Sequence, residues 1–369
     1  MSRAGVAAIT LDPKGGGVAA VSRLLWRIIE DHCGSDARLF TLVDDARPAR
    51  SLDSSTGARL RFGARLARAQ AMRDCDWVFF THLSVAKVQS FVPARICRPY
   101  AVFLHGIEAW RPLAQELEAV LKGAALRVAN SAFTAERVQR MHPAIGEVLP
   151  CPLALSADKL ASRSTATELR WQLGQHAVVL VARMSASERY KGHEELIAAW
   201  PGVVARVPDA RLVFVGEGDD VTRLTRRART LGIEPAVVFT GFVSEDELTA
   251  IYRHAAVFAM PSRGEGFGLV YLEAMAERLP CIGAIDDAAS EIIVDGETGF
   301  LVRQSDREAL TERLVRLLTD DSLRRYMGDA GYRRLHERFT YAAFSQRLLS
   351  LIGSSLETAD SAWPRDVAV

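Results

Sequence analysis

The chain has 369 residues, 49% hydrophobic and 25% charged, a length suited to two α/β domains and a mix suited to a folded rather than a disordered protein. Its 46 Lys and Arg nearly cancel its 45 Asp and Glu, so no global basic field recruits nucleic acid and any anion site must be local. The five cysteines (Cys33, Cys75, Cys97, Cys151, Cys281) are odd in number and scattered, with no C-x-x-C pair, so zinc and redox readings lack support and reduced thiols are expected. No apolar run approaches about 18 residues, and the stretch from Met1 to Asp12 lacks the length and cleavage site of a signal peptide, so a cytoplasmic protein is expected.

Short apolar runs alternate with amphipathic stretches almost from end to end, the pattern of parallel sheets with crossover helices. In chain order, strands are predicted near 5–11, 38–43, 77–81, 100–105 and 127–130, with helices near 18–31, 60–73, 113–122 and 132–141. The segment Glu147-Val148-Leu149-Pro150-Cys151-Pro152-Leu153 is extended and Pro-punctuated, and a polar stretch, 156–167, follows it; together they read as a domain boundary. The pattern then restarts, with strands near 177–182, 211–215, 236–240, 257–260 and 281–284, and three helical stretches from Asp306 to about Gly353. The reading is two Rossmann-like domains, 1–155 and 156–340, facing each other across a cleft, with ligands at the carboxyl ends of the strands.

The most informative stretch is Pro261-Ser262-Arg263-Gly264-Glu265-Gly266-Phe267-Gly268-Leu269, running on through Val270-Tyr271-Leu272-Glu273. A strand enters a glycine-rich turn that opens a helix, where free amides favour an anion such as a diphosphate. Glu265 lies in the turn and Glu273 inside the helix, with seven residues between them, placed to accept hydrogen bonds from hydroxyl groups.

Here the chain resembles the retaining glycosyltransferases of family 4, whose two-domain architecture is called GT-B and whose signature is this Glu-x7-Glu. The resemblance covers most of the chain, from Lys14 to about Gly299. It implies that Glu265 meets sugar hydroxyls of a donor, that Gly266, Phe267, Gly268 and Leu269 present amides, and that Glu273 binds the ribose. It further implies that Arg183 and Lys191, in order after the first strand of the second half, grip the diphosphate and stabilise the charge of the leaving group. Gly216, Phe242 and Val243, in the next two turns, would wall the base; Asp219 and Ser244 beside them serve equally well as helix caps. The second domain would hold the nucleotide sugar and the first the acceptor, with the terminal helix, about 341–369, packing back towards the first.

In the first half, Lys14-Gly15-Gly16-Gly17 follows a strand and precedes a helix. The resemblance gives Gly16 and Gly17 to the donor, but Gly15-x-Gly17-x-x-Ala20 also satisfies the dinucleotide fingerprint, with Asp44 or Asp45 as ribose partner. Taken alone, the turn is a tie with an NAD-dependent oxidoreductase; the downstream signature favours the glycosyltransferase. His105, in His105-Gly106-Ile107-Glu108, is implied to face the reacting sugar. Ser131, in a further family position after Asn130, is as plausible as a helix N-cap. Asp74-Cys75-Asp76 resembles a metal-binding Asp-x-Asp but precedes a strand instead of following one, so it reads as a surface turn and no metal is expected.

The implied function is transfer of a hexose from a UDP- or GDP-sugar to a glycan, lipid-linked or small-molecule acceptor, with retention, as in polysaccharide biosynthesis. No cofactor is called for, the nucleotide-diphosphate sugar being a co-substrate. A sugar-nucleotide epimerase or phosphorylase of the same architecture, and a non-catalytic binding protein, are the other readings. The arginine-rich stretch 59–73 reads as an ordinary surface helix or as a peripheral contact with the inner face of a membrane. One departure from the family concerns Ile285-Asp286-Asp287-Ala288-Ala289-Ser290-Glu291, where two aspartates stand in a turn that many relatives build with Gly and Pro. The segment 149–154 departs from the usual Asn-Gly-x-Asp connection.

Overall fold

Parallel pairing organises the whole of this structure, a computed structural model that describes residues 3–43, 55–161 and 169–362. Strands β1 (Ala4–Ala8), β2 (Ala37–Thr41), β3 (Trp77–Phe80), β4 (Tyr100–Leu104), β5 (Leu126–Ala129) and β6 (Leu149–Pro150) form a 6-stranded sheet in the order β2-β1-β3-β4-β5-β6. Strands β7 (Ala177–Val181), β8 (Arg211–Val215), β9 (Val237–Phe239), β10 (Val257–Met260), β11 (Cys281–Ala284) and β12 (Gly299–Val302) form a second, in the order β12-β11-β10-β7-β8-β9. β1, β3, β4, β10 and β11 are buried at every position, the mark of strands covered by helices on both faces.

The helices are α1 (Gly16–Cys33), α2 (Thr56–Ala71), α3 (Leu83–Ala86), α4 (Gln115–Gly123), α5 (Ala132–Met141), α6 (Ala157–Ala161) and α7 (His193–Val204). They continue with α8 (Val221–Thr230), α9 (Glu245–His254), α10 (Leu269–Ala276), α11 (Ala289–Ile292), α12 (Arg307–Thr319), α13 (Asp321–Arg338) and α14 (Tyr341–Ala362). The chain divides into two units, Met1–Leu153 with Tyr341–Val369, and Ala154–Thr340. α14 joins the first: Phe344, Leu348 and Ile352, one helical stripe, are buried, α14 packs on β5, and Arg347 donates to the Pro152 carbonyl at 2.8 Å.

Two edge strands depart from the sequence reading. β6 lies in the extended, Pro-punctuated segment that reads as a domain boundary; it pairs Ala129 with Pro150, and a proline is tolerated there because an edge position needs no donor. β12 pairs with β11 beyond the last predicted strand. It follows the turn at Gly296 so closely that its four residues carry little signal of their own.

In the second sheet the chain runs outward from β7 through β8 to β9, then returns to the other side of β7 as β10. The carboxyl ends of β7 and β10 thus flank the point where strand order reverses, where the outgoing turns splay apart and leave a crevice. In the first sheet the reversal lies between β1 and β3.

Candidate functional site

The turns leaving β7, β8 and β10 are laced to one another. Met184 N donates to Glu217 O at 2.9 Å and Asp220 N to Met184 O at 2.9 Å, joining the first two, and Arg263 N donates to Tyr190 O at 2.8 Å, joining the first and third. Gly192 has φ +94°, and a Cβ there would stand 2.9–3.0 Å from Pro261, so only glycine lets the chain pass at that distance. Gly216 is equally constrained: a Cβ would meet the Ala182 carbonyl at 2.3 Å.

That approach brings two sequence-predicted residues together. Lys191 Nζ lies 2.6 Å from Glu265 Oε2, with both side chains largely withdrawn from solvent (19% and 14% exposed). Burial pulls the Lys191 ammonium down, but the charges of Glu265 and Tyr190 and the hydrogen bond to Glu265 outweigh it, so its pKa is raised and the charge is kept. Arg183 is not part of this pair: its guanidinium is 70% exposed and bonds Glu188. Phe267 is buried against Phe339, so at this position only the backbone is left for a ligand. Gly268 caps α10 in the left-handed region and Leu269 begins it. Gly266 stands between Glu265 and Phe267 in the same turn.

Glu273 is already engaged. Its Oε1 accepts from Lys159 of α6, and its Oε2 from the Tyr252 hydroxyl of α9 at 3.1 Å. Lys159 also reaches Glu245 at 3.0 Å. Neither partner is legible in the sequence, since Lys159 stands in the polar stretch that reads as a domain boundary and Tyr252 reads as a core residue of an amphipathic helix. Phe242 is 65% exposed, an unusual place for a large ring, while Val243 is half-buried. Ser244 caps α9 in a reciprocal capping box with Glu247, whereas Asp219 caps nothing and instead accepts from Ala186 N at 2.8 Å. The neighbouring Asp220 is held down to about 2 by the hydrogen bond from Arg223, burial opposing, with Arg189 adding to the effect. This cluster braces the segment between Arg183 and Lys191.

Asp287 is a further residue the sequence left unassigned. It is 0% exposed and accepts hydrogen bonds from Ser262 Oγ, from Glu265 N at 3.2 Å and from Ala289 N at 2.9 Å. The two-aspartate turn is therefore tied directly to the glycine–acid turn.

In the first unit, His105 follows β4 half-buried; its Nε2 lies 2.7 Å from the Thr81 carbonyl, so it donates there, and in the neutral ring Nδ1 is then the acceptor. Glu108 reaches back to His105 N, and Asn130 donates to His105 O at 2.9 Å, fixing the turn. His82, unremarked in the sequence, lies beside it with ring centroids 5.3 Å apart and is pushed down to about 4 by burial. Its Nδ1 accepts from Ser84 N at 3.0 Å. Gly16 and Gly17 open α1, and among the described residues a Cβ at either would meet nothing within 4 Å. Ser131 is the N-cap of α5, accepting from Thr134 N at 3.0 Å. Asp76 pairs with Arg3 at 2.8 Å. Asp44 and Asp45 lie outside the described residues. Among those described, no helix is long and apolar enough to cross a membrane.

Residues 167–334 match the family described as glycosyl transferases group 1. Over 195 residues, 51% of this chain and 50% of the relative, the chain is 36% identical to the GDP-mannose-dependent alpha-(1-6)-phosphatidylinositol monomannoside mannosyltransferase of Mycolicibacterium smegmatis. Over 174 residues, 47% of this chain and 45% of the relative, it is 30% identical to the N-acetyl-alpha-D-glucosaminyl L-malate synthase of Bacillus anthracis. The match thus spans about half the length of these relatives. In fold, the chain is similar to sucrose-phosphate synthase of Thermosynechococcus elongatus, with a TM-score of 0.78 at 19% identity over 97% of this chain and 100% of the other. It is similar also to Anabaena HepE in complex with UDP and glucose, with a TM-score of 0.76 at 20% identity over 96% and 100%.

Proposed function

We propose, from the match of residues 167–334 to the family described as glycosyl transferases group 1, that the protein moves a hexose from a UDP- or GDP-sugar to a glycan, lipid-linked or small-molecule acceptor, with retention and without a metal ion. The observation that carries the reading is the Lys191–Glu265 pair at the reversal point of the second sheet, a fixed cation beside a carboxylate where an α/β crevice forms. GDP is the first candidate base, because the Mycolicibacterium smegmatis relative is GDP-mannose-dependent.

In this reading Lys191 and Arg183 hold the diphosphate and, with the amides of Gly266, Phe267, Gly268 and Leu269, stabilise the charge that develops on it as the sugar departs. The raised pKa of Lys191 keeps that cation in place across the neutral range. Glu265 accepts hydroxyls of the sugar. Glu273 accepts the ribose hydroxyls, exchanging Lys159 and Tyr252 for them. Gly216, Phe242 and Val243 face the base, and Gly16 and Gly17 leave room for donor and acceptor. His105 takes a sugar hydroxyl proton into a hydrogen bond at Nδ1, the nitrogen its Thr81 contact leaves as acceptor. Contact of the arginine-rich stretch 59–73 with an anionic lipid surface is proposed on the same footing, and vesicle cosedimentation tests it.

A thermal-shift panel of UDP, GDP, ADP, their hexose conjugates and NAD(P), with and without EDTA, tests the whole reading. A ligand at 100 times its dissociation constant adds about 2.7 kcal/mol, or roughly 2–4 °C for a protein of this size. The expected result is a shift with one nucleoside diphosphate and its sugar conjugate, unchanged by EDTA and lost in Glu273→Ala. Stabilisation by NAD(P) alone would overturn the assignment, and a nucleotide-sugar shift that needs metal would overturn the metal-free mechanism.

A further inference from the structure

Asp287 is a fully buried carboxylate that accepts hydrogen bonds from three groups of two turns. Oδ2 accepts from the Ser262 hydroxyl and from Glu265 N, and Oδ1 accepts from Ala289 N. The same segment grips Glu265 a second time, since Ala288 N donates to Glu265 O at 3.3 Å. Both backbone polar groups of Glu265 are thus held by residues 287 and 288, and the Glu265 side chain then projects to Lys191. A neutral isostere cannot do this. Asparagine offers one oxygen where three donors need two, and its amide would turn an N–H towards another N–H.

We propose that Asp287 is a positioning residue for the sugar end of the donor, holding the backbone of Glu265 so that its carboxylate meets the sugar hydroxyls, and that it acts in its ionised form. The proposal rests on the reading of Glu265 as the sugar contact. It also accounts for the departure of this turn from the Gly- and Pro-containing form: the aspartate side chain supplies from outside the bonds that hold the turn in place.

Burial raises Asp287 to about 6, against the lowering effect of the hydrogen bonds from Ser262, Ala289 and Glu265. The titratable and charged groups around it are Glu265 from the β10–α10 turn, Tyr271 from α10, and Asp286 and Glu291 on its own segment. On α13, Arg334 donates to Glu291 O and Ile292 O. The raised value gives two opposite slopes. The folded value lies above the ordinary carboxylate value, so the residue's contribution to folding is fully present below that ordinary value and is lost as pH rises through about 6. The grip on Glu265 needs the ionised form and is gained over that same rise. A merely structural aspartate would not set sugar affinity against stability in this way.

The test uses the full chain and measures the affinity for UDP, GDP and their hexose conjugates by calorimetry from pH 5 to 8, with melting temperatures alongside. Asp287→Asn is expected to weaken the hexose conjugate by about tenfold, the effect of one lost hydrogen bond to a charged group, while the free nucleoside diphosphate changes by less than about twofold. Wild-type affinity for the conjugate should rise through pH 6, and that rise should be absent in the variant. Ser262→Ala removes one hydroxyl only and should show the same selective loss to a smaller degree, which decides the matter where Asp287→Asn fails to fold. Equal losses for the conjugate and the free diphosphate, or none, in whichever variants fold would overturn the role of Asp287 while leaving nucleotide-sugar binding intact. A wild type that binds no nucleotide sugar would overturn the parent reading, and this one with it.

Discussion

Lys191 and Glu265, each assigned to a ligand in the sequence, meet one another in the structure at 2.6 Å. Removing one partner strands the other charge in a site where it is only about one-sixth exposed. Lys191→Ala is therefore expected to cost about 2–3 kcal/mol in urea unfolding, less than a fully buried pair because some solvent reaches this one. The double variant Lys191→Ala/Glu265→Ala should cost less than the two singles summed, by about 1–2 kcal/mol. Additive losses would show that the pair contributes no coupling. Glu273 teaches the same lesson at longer range. Its main partner, Lys159, lies 114 residues away in sequence, and nothing in the residues around either one announces the other.

At the scale of the element, local chemistry was largely legible. Ser244 with Glu247 three residues on is a capping-box pattern, and Ser131 before an amphipathic run is a cap pattern; both form as caps. α2 is more instructive. Its apolar residues Phe62, Leu66 and Ala69 are buried in the first unit, while Arg59, Arg61, Arg65, Arg68 and the following Arg73 are exposed, together with Leu60 at 69%. The apolar face is spent on the core of the unit itself, so attraction to a membrane would come from charge, at about 1 kcal/mol per arginine near an anionic surface. Cosedimentation is accordingly expected with vesicles rich in phosphatidylserine and not with phosphatidylcholine alone. It should fall steeply as salt is raised and be lost when Arg61, Arg65 and Arg68 become Gln. Equal binding to neutral vesicles, or none to anionic ones at low salt, would remove membrane contact from the proposed function.

At the scale of the whole molecule, each unit is one parallel sheet wrapped by helices, and the first is completed by a segment from the far end of the chain. Phe344 is 0% exposed in that segment, so Phe344→Ala should cost about 3–5 kcal/mol and lower the unfolding midpoint, as measured by circular dichroism in urea. An unchanged midpoint would mean that α14 is not needed by the first unit. Ten strands and the glycine turns and helix caps at their carboxyl ends could be read directly from the residues, because an apolar run, a glycine turn and a helix cap are each specified within a few neighbours. β6, β12, the Lys159 contact with Glu273 and the clasp of Asp287 on Glu265 could not. Each depends on groups far apart in sequence, and a hydrogen bond or a packed face leaves no periodic trace in either partner; only the folded chain decides which of the available donors reaches a given carboxylate.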